Sequence, residues 1–391
     1  MLCKGYFLIN LLSRFLLLNI SLLFIGSVNA TTLANLYEVS VPVFSQSNKE
    51  RKEATAKAFE ELLIRVTGKR DVLGLESSQK LLANSRRFVR SFRYEELPPP
   101  EVFKPVQVKD LELSDVNQQT DETEIDEEEQ SQPTQQIVVS FDEKAVKNSL
   151  WKFKLPVWGK TRPSTLLWLA VQDHEQRKML DASESTEILA LLKQHAEKRG
   201  VPIIYPNLDT EDQAKINVTD VWGAYKIPVD DASSRYQAEA VISAQLLLDE
   251  TGTWQSRWNL YQSGDESSWK LSAPNLSVVI FENVDQLASA LAERYAQVSS
   301  GEDDSRFLIH IRDVSNLADY EKINRYLSSL SVVKHAELAQ IQNNELVYEL
   351  ELRSNPRALK QAIALGKTLS AQEDPFAAEI DVNRLNYRLK P

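Results

Sequence analysis

The chain holds one cysteine, Cys3, in 391 residues, with two methionines and eleven glycines. Cys3 falls inside an N-terminal leader, so the sequence from Thr31 onward has no cysteine. That excludes disulfides, thiolate metal ligands, a cysteine nucleophile and any disulfide-linked partner. Glycine is scarce, at about 3% against an average of about 7%. Few positions are left where backbone can wrap a phosphate, which disfavours nucleotide enzymes. No G-x-S-x-G, H-E-x-x-H, P-loop or G-x-G-x-x-G occurs. The four histidines, His174, His195, His310 and His335, are too far apart for a helical metal pair. No basic run is present, so nucleic acid is not an expected partner. The reading calls for no cofactor, no metal and no catalytic residue.

What is present begins with an address. Lys4 and Arg14 form a positive n-region, Phe15 to Val28 is an apolar stretch of fourteen residues, and Val28-Asn29-Ala30 is a small-residue cleavage site. The expectation is an exported, periplasmic protein cleaved after Ala30, with an uncleaved inner-membrane anchor as the alternative. Removing Lys4 and Arg14 takes the net charge from −11 to −13. Ten acids and no base lie between Asp110 and Gln136, after Pro98-Pro99-Pro100. Such a stretch buries too little apolar surface to offset its ordering entropy, so residues 97–136 read as a disordered acidic insertion.

Apolar share near 42% supports two or three packed domains. Tyr37 to Val43 alternates as a half-buried strand. Ser47 and Glu50 have the spacing of a capping box, for a helix that buries Phe59, Leu62, Leu63 and Val66 and ends at Gly68. A helix over 77–89, a strand over 91–94, a return strand over 137–141 and a helix from Asp142 complete an N-terminal α/β module over 31–160. In the middle module, 161–298, Thr165 to Gln172 is a continuous apolar strand covered on both faces. Asp181 and Glu184 suggest a second capping box, for a helix that stops at Gly200. Val201 to Tyr205 closes a parallel β-α-β unit. Three antiparallel strands follow, at 238–249, 254–261 and 269–271, then a helix over 284–298. After a linker at 299–305, residues 306–391 read β-α-β-β-α-β, the ferredoxin-like order. The fold class is thus α+β / α/β and multi-module, with a middle module similar in element order to the N-terminal domain of TolB and its relatives.

Three segments carry a family resemblance: Leu36 to Val43 (LYEVSVPV), Ile64 to Leu73 (IRVTGKRDVL) and Leu155 to Ser164 (LPVWGKTRPS). Over most of 33–298 the chain resembles an uncharacterised family of exported bacterial proteins catalogued as domain of unknown function 2066. The resemblance implies an envelope-associated protein with no assigned reaction.

Two clusters are candidate ligand sites. Asp173-His174-Glu175 directly follows the buried strand, and the crevice beyond the carboxyl ends of parallel strands is where open sheets bind ligands. A polar loop explains the trio equally well. Arg162, beside Trp158 and Trp168, could grip a carboxylate or a sugar, or serve only as packing between domains. Trp254, Trp258 and Trp269 suit cross-strand packing or, if exposed, peptide or glycan binding. The leading expectation is a non-enzymatic docking or assembly factor that engages envelope proteins and associates peripherally with the inner membrane. A small-molecule or glycan binding protein is the alternative, and a metal-assisted enzyme is third.

Overall fold

A computed structural model describes residues 31–97, 133–173, 176–183, 186–299, 306–372 and 384–390; the side chains of Asp173 and Arg384 lie outside that description. The protein is a mixed α+β, multi-module chain with several sheets and ten helices among the described residues. No described helix is long and apolar enough to cross a membrane. The leader, 1–30, is outside the described residues.

The N-terminal module contains β1 (Thr31–Thr32), β2 (Glu38–Val43), α1 (Asn48–Thr67), α2 (Glu76–Ala83), β3 (Val89–Glu96), β4 (Gln135–Phe141) and α3 (Glu143–Lys152). Its sheet runs β2-β4-β3 and is antiparallel throughout, so this module is α+β rather than the expected α/β. Val39, Val41 and Val43 bury against the Phe59, Leu62 and Val66 stripe of α1, and Phe59 stacks on Phe88 with ring centroids 4.8 Å apart. Helix α2 is shorter than the pattern predicts, because residues 85–88 tighten into a 3-10 turn that delivers Phe88 to this core. The capping box forms only by half. Ser47 Oγ accepts from Glu50 N at 3.2 Å, but the Glu50 carboxylate reaches past Ser47 to Ser45 N at 2.8 Å.

Strands β3 and β4 form the hairpin that carries the acidic stretch, of which 98–132 lie outside the described residues. The insertion is narrower than 97–136, since Leu97 N already bonds Thr134 O at 2.9 Å and β4 starts at Gln135. Phe141 N donates to Tyr37 O, which sets the phase of the β2–β4 ladder. Ser40 and Pro42 therefore turn their backbone to the open edge. Pro42 has no N–H to offer there, and the Glu38 carbonyl accepts from Arg65 Nη1 at 2.8 Å, so the edge is guarded against strand addition.

The middle module follows β5 (Thr161–Arg162), which pairs with β1. It contains β6 (Thr165–Asp173), β7 (Gln176–Met179), α4 (Glu187–Arg199), β8 (Ile203–Ile204), α5 (Thr210–Lys215), α6 (Val218–Gly223), α7 (Lys226–Ser233), β9 (Ala240–Leu248), β10 (Trp254–Gln262), β11 (Asp265–Ala273) and α8 (Leu276–Tyr295). The sheet order is β11-β10-β9-β6-β7, with β8 also on β6; β6 is parallel to β8 and β9. Helices α4 and α8 cover one face, and α6 and α7 cover the other through Val221 and Val229 against Leu166, Trp168 and Ala170. Two covered faces explain the unbroken apolar run of β6.

Several boundaries differ from the sequence reading. Thr186, not Asp181, caps α4, its side chain accepting from Leu189 N; Asp181 instead accepts from Ser183 N at 2.8 Å, and Glu184 lies outside the described residues. Helix α8 starts at Leu276 rather than 284, because Leu276, Val279 and Ile280 already belong to its buried stripe.

The C-terminal elements are β12 (Arg306–Arg312), α9 (Leu317–Ser329), β13 (Val333–Gln342), β14 (Glu345–Leu352), α10 (Pro356–Leu365), β15 (Leu369–Ala371) and β16 (Arg384–Leu389). The sheet order is β13-β14-β12-β16-β15, with β12 and β16 parallel. Ile309 and Ile311 pack against Ile323, Leu327, Leu359 and Ile363 of the two helices. Strand β15 is an addition to the expected order.

Candidate functional site

The C-terminal turn of α1 points at the middle module. A helix end leaves carbonyls without intrahelical donors and carries the negative end of the dipole, so it suits cations. Here three buried arginines meet it. Arg199 donates to Ile64 O at 3.2 Å and Gly68 O at 2.9 Å, and Arg162 donates to Arg65 O at 2.9 Å and Trp158 O at 3.2 Å. Arg65 bonds outward, to Lys198 O at 2.8 Å and to Glu61 at 2.9 Å. Asp285 of α8 takes both Arg199 Nε at 3.0 Å and Arg70 Nε at 3.1 Å on one oxygen. Burial pushes the Arg199 pKa down to about 10, with Asp285 opposing the shift. Burial also drives that of Arg162 well down; Tyr37 opposes it, while Arg65 and Arg199 add to it.

The segment from Leu155 to Trp158 fastens the same junction. Leu155 and Val157 enter the N-terminal core, while Trp158 enters the middle core. Trp158 N donates to Val66 O at 2.7 Å, and Val157 bridges Gln297 near the end of the middle module.

Of the sequence candidates, Arg162 and Trp158 come together. The Arg162 Cζ sits 3.6 Å from the Trp158 ring centroid, and the two residues are 0% and 1% exposed. They stack on one another inside the protein; Trp158, but not Arg162, also belongs to the lining of the cleft described below. Trp168 lies on the opposite face of β6, bonded to Ser233 at 2.9 Å. Asp173 ends β6 and pairs with Gln176 of β7, so its surroundings are a tight hairpin rather than a strand-to-helix crossover. His174, Glu175 and the Asp173 side chain lie outside the described residues. His195 is buried: it meets the Phe281 ring edge-on with centroids 5.2 Å apart, and burial lowers its pKa. His310 holds Glu345 at 2.6 Å, and His335 is exposed. Trp258 and Trp269 are direct cross-strand partners with centroids 6.0 Å apart, and Trp269 Nε1 donates to Asn283 of α8 at 2.9 Å. Among the described residues no cluster of three His, Cys, Asp or Glu could hold a metal ion.

Where the N-terminal module, the Trp158–Thr161 segment and the C-terminal module meet, a cleft of about 900 Å³ opens. The N-terminal wall supplies Arg90, Lys144, Lys147 and Trp151; the connecting segment supplies Lys160; the C-terminal wall supplies Lys334, Arg353 and Lys367. Seven cations thus line it against two acids, Asp142 and Glu143, in a chain whose net charge is −11. Glu143 holds Lys147 at 2.8 Å and Lys160 at 2.6 Å, and these lysines hold its carboxyl below the usual range against the opposing effect of burial. Arg353 crosses the cleft floor, its Cζ 3.7 Å from the Trp151 ring centroid. Trp158 Nε1, Arg353 Nε and the Tyr326 hydroxyl, on residues that line the cleft, are buried without a hydrogen-bond partner in the protein. A second groove of about 1150 Å³, between the β2 edge and α4, mixes lysines with Glu38, Glu61 and Glu197.

The sequence reading missed Arg65, Arg199, Arg353 and the lysines of the C-terminal wall. One signal was available: Arg65 follows Leu62 by three residues, on the buried stripe of α1, where a cation requires partners. Nothing in one sequence announces that Lys144 and Lys367 share a cleft.

Comparison with known proteins gives a family-model match to a domain of unknown function (DUF8605) over residues 30–159. This corrects the resemblance to domain of unknown function 2066. The short segments behind that resemblance build a strand, a helix end and the module junction, and these local structural duties do not identify a family number. No curated protein matches the chain. Solved structures that match include one described as "Crystal structure of uncharacterized protein", at 10% identity, covering 34% of this chain and 91% of that one. Its TM-score is 0.16, too low to carry an argument about fold.

Proposed function

We propose that this chain is an exported docking or assembly factor of the cell envelope, acting in the periplasm without catalysis and engaging envelope proteins, with peripheral contact to the inner membrane. The observation that supports this reading is the arginine junction. Buried Arg162 and Arg199 tie the end of α1 to the middle module, and Arg353 stacks on Trp151 to tie the N-terminal module to the C-terminal one. Modules fixed this way present their surfaces to a partner in one geometry, which spares the ordering cost that independent modules on linkers would meet on binding. At a finer level we read the middle module as TolB-N-like and the C-terminal module as ferredoxin-like. The β-α-β-β-α succession from β12 to α10 and the antiparallel order β13-β14-β12 support the latter, while β15 and the parallel pairing of β16 with β12 depart from it.

The test is crosslinking in intact cells with a tagged full-length chain, beside an unrelated exported control, followed by affinity purification and mass spectrometry. The reading expects one discrete envelope partner, lost when a particular module is deleted. Absence of any partner above the control would remove it.

A further inference from the structure

We propose that the cleft between the N-terminal and C-terminal modules binds a multiply charged phosphosugar, either free or as the headgroup of a lipid or glycan. The cleft is independent of the docking reading: it is a ligand site whether or not an envelope partner exists.

Charge comes first. A wall with seven cations and two acids, on a chain of net charge −11, is a local reversal of sign, and a low-dielectric cleft focuses such a field onto an anion. Glu143 answers Lys147 and Lys160, and Glu351 holds Lys334, so these acids do not neutralise the wall that Arg90, Lys144 and Lys367 complete. Cations stand on both walls, and a ligand with charge at two separated points satisfies both where a single carboxylate does not.

The hydrogen-bonding character agrees. Trp158 Nε1 and Arg353 Nε are donors without an acceptor in the protein, and a buried donor of that kind calls for an acceptor. Phosphate oxygens accept and do not donate when ionised, and guanidinium geometry suits them. The remaining wall contains Thr161, Ser328, Ser329, Ser331 and Thr368, hydroxyls that both give and receive hydrogen bonds as sugar hydroxyls do. The volume of about 900 Å³ is in the range of small-molecule sites, which favour domain junctions. An acidic peptide fits less well, because the open-edged strands that reach the lining, β1, β3, β5 and β13, give it no more than two residues each, too short a run for a backbone ladder.

The experiment is isothermal titration of the full exported chain with glucose 1,6-bisphosphate, glucose and an octaglutamate peptide. Vesicles of phosphatidylcholine, with and without phosphatidylinositol 4-phosphate, form a separate arm. The bisphosphate should bind with an affinity that falls as salt rises. The double variant Lys144→Gln/Lys367→Gln, which changes one exposed side chain on each wall, should weaken it about tenfold or more, the loss expected from charge-assisted contacts. Lys193→Gln, in the other groove, should leave it unchanged. Retention on phosphoinositide vesicles together with weak free binding supports the headgroup source; the reverse supports the free sugar. The proposal is overturned if the bisphosphate does not bind, if glucose binds equally well, if the double variant binds as the parent does, or if only octaglutamate binds.

Discussion

Gly68 and Ala292 leave no room for one methyl group between them: a Cβ built on Gly68 would stand 2.1 Å from the Ala292 Cβ. Gly68 also has φ 77°, the left-handed conformation that closes α1. The end of α1 is therefore seated directly on α8, close enough for the arginines to reach its carbonyls. Gly68→Ala should destabilise the protein by about 2–4 kcal/mol, combining the left-handed cost with overpacking. Urea unfolding of the full chain measures it. A change below about 0.5 kcal/mol would mean that the two helices do not meet this way.

Arg199 and Arg162 should differ in what their loss costs. Arg199 pairs with Asp285 and serves two carbonyls, whereas Arg162 spends only one nitrogen on carbonyls and leaves Nε and Nη1 without acceptors. Removing one partner of a buried pair costs about 3–5 kcal/mol, but replacing an incompletely satisfied buried charge by an apolar side chain returns desolvation energy. Arg199→Met should therefore be the more destabilising by about 1–2 kcal/mol or more. Paired unfolding curves decide it, and an Arg162→Met loss equal to or larger than that of Arg199→Met would contradict the assignment.

Most helices and strands were legible because their faces are periodic. Phe59, Leu62 and Val66 mark α1, and Leu385, Tyr387 and Leu389 mark β16. The elements that escaped were those without such a face. Strand β7 (QRKM) is polar and mostly exposed, so nothing announced the hairpin that displaces the crossover from Asp173. Helices α5 and α6 have six residues each, less than two turns of pattern, and are specified by the caps Asp209 and Asn217 instead. The site was less legible than the fold. Trp158 and Arg162 were visible as a pair, but Arg65 and Val66, whose carbonyls they bond, and the neighbouring Arg199–Asp285 pair come from elements far away in sequence.

Acid should weaken the N-terminal sheet in a defined direction. Glu38 on β2 reaches across β4 to accept from Arg93 at 2.9 and 3.0 Å and from Ser140 at 2.9 Å. The Arg93 hydrogen bonds, helped by Ser140, hold its carboxyl below the ordinary 4.5. A depressed carboxyl pKa means the folded state binds fewer protons than the unfolded one, so the stabilisation is full above about pH 4.5 and is lost as pH falls through the depressed value. The pair is partly solvated, so its contribution is at most about 1 kcal/mol. Melting temperature followed from pH 6 down to about pH 3 should fall, and Glu38→Gln should flatten part of that slope. An identical slope in the variant would assign the acid sensitivity elsewhere.

The claim that the modules form one frame is tested most directly by a distance distribution. Lys57 and Lys193 are exposed and flank the groove between the N-terminal and middle modules. With Cys3→Ser, a chain carrying Lys57→Cys and Lys193→Cys accepts two spin labels for pulsed dipolar spectroscopy. The account predicts a single narrow distribution that broadens when Arg199→Met is added. A broad or multi-peaked distribution with Arg199 intact would show that the modules move independently, and would contradict the frame on which the docking reading depends.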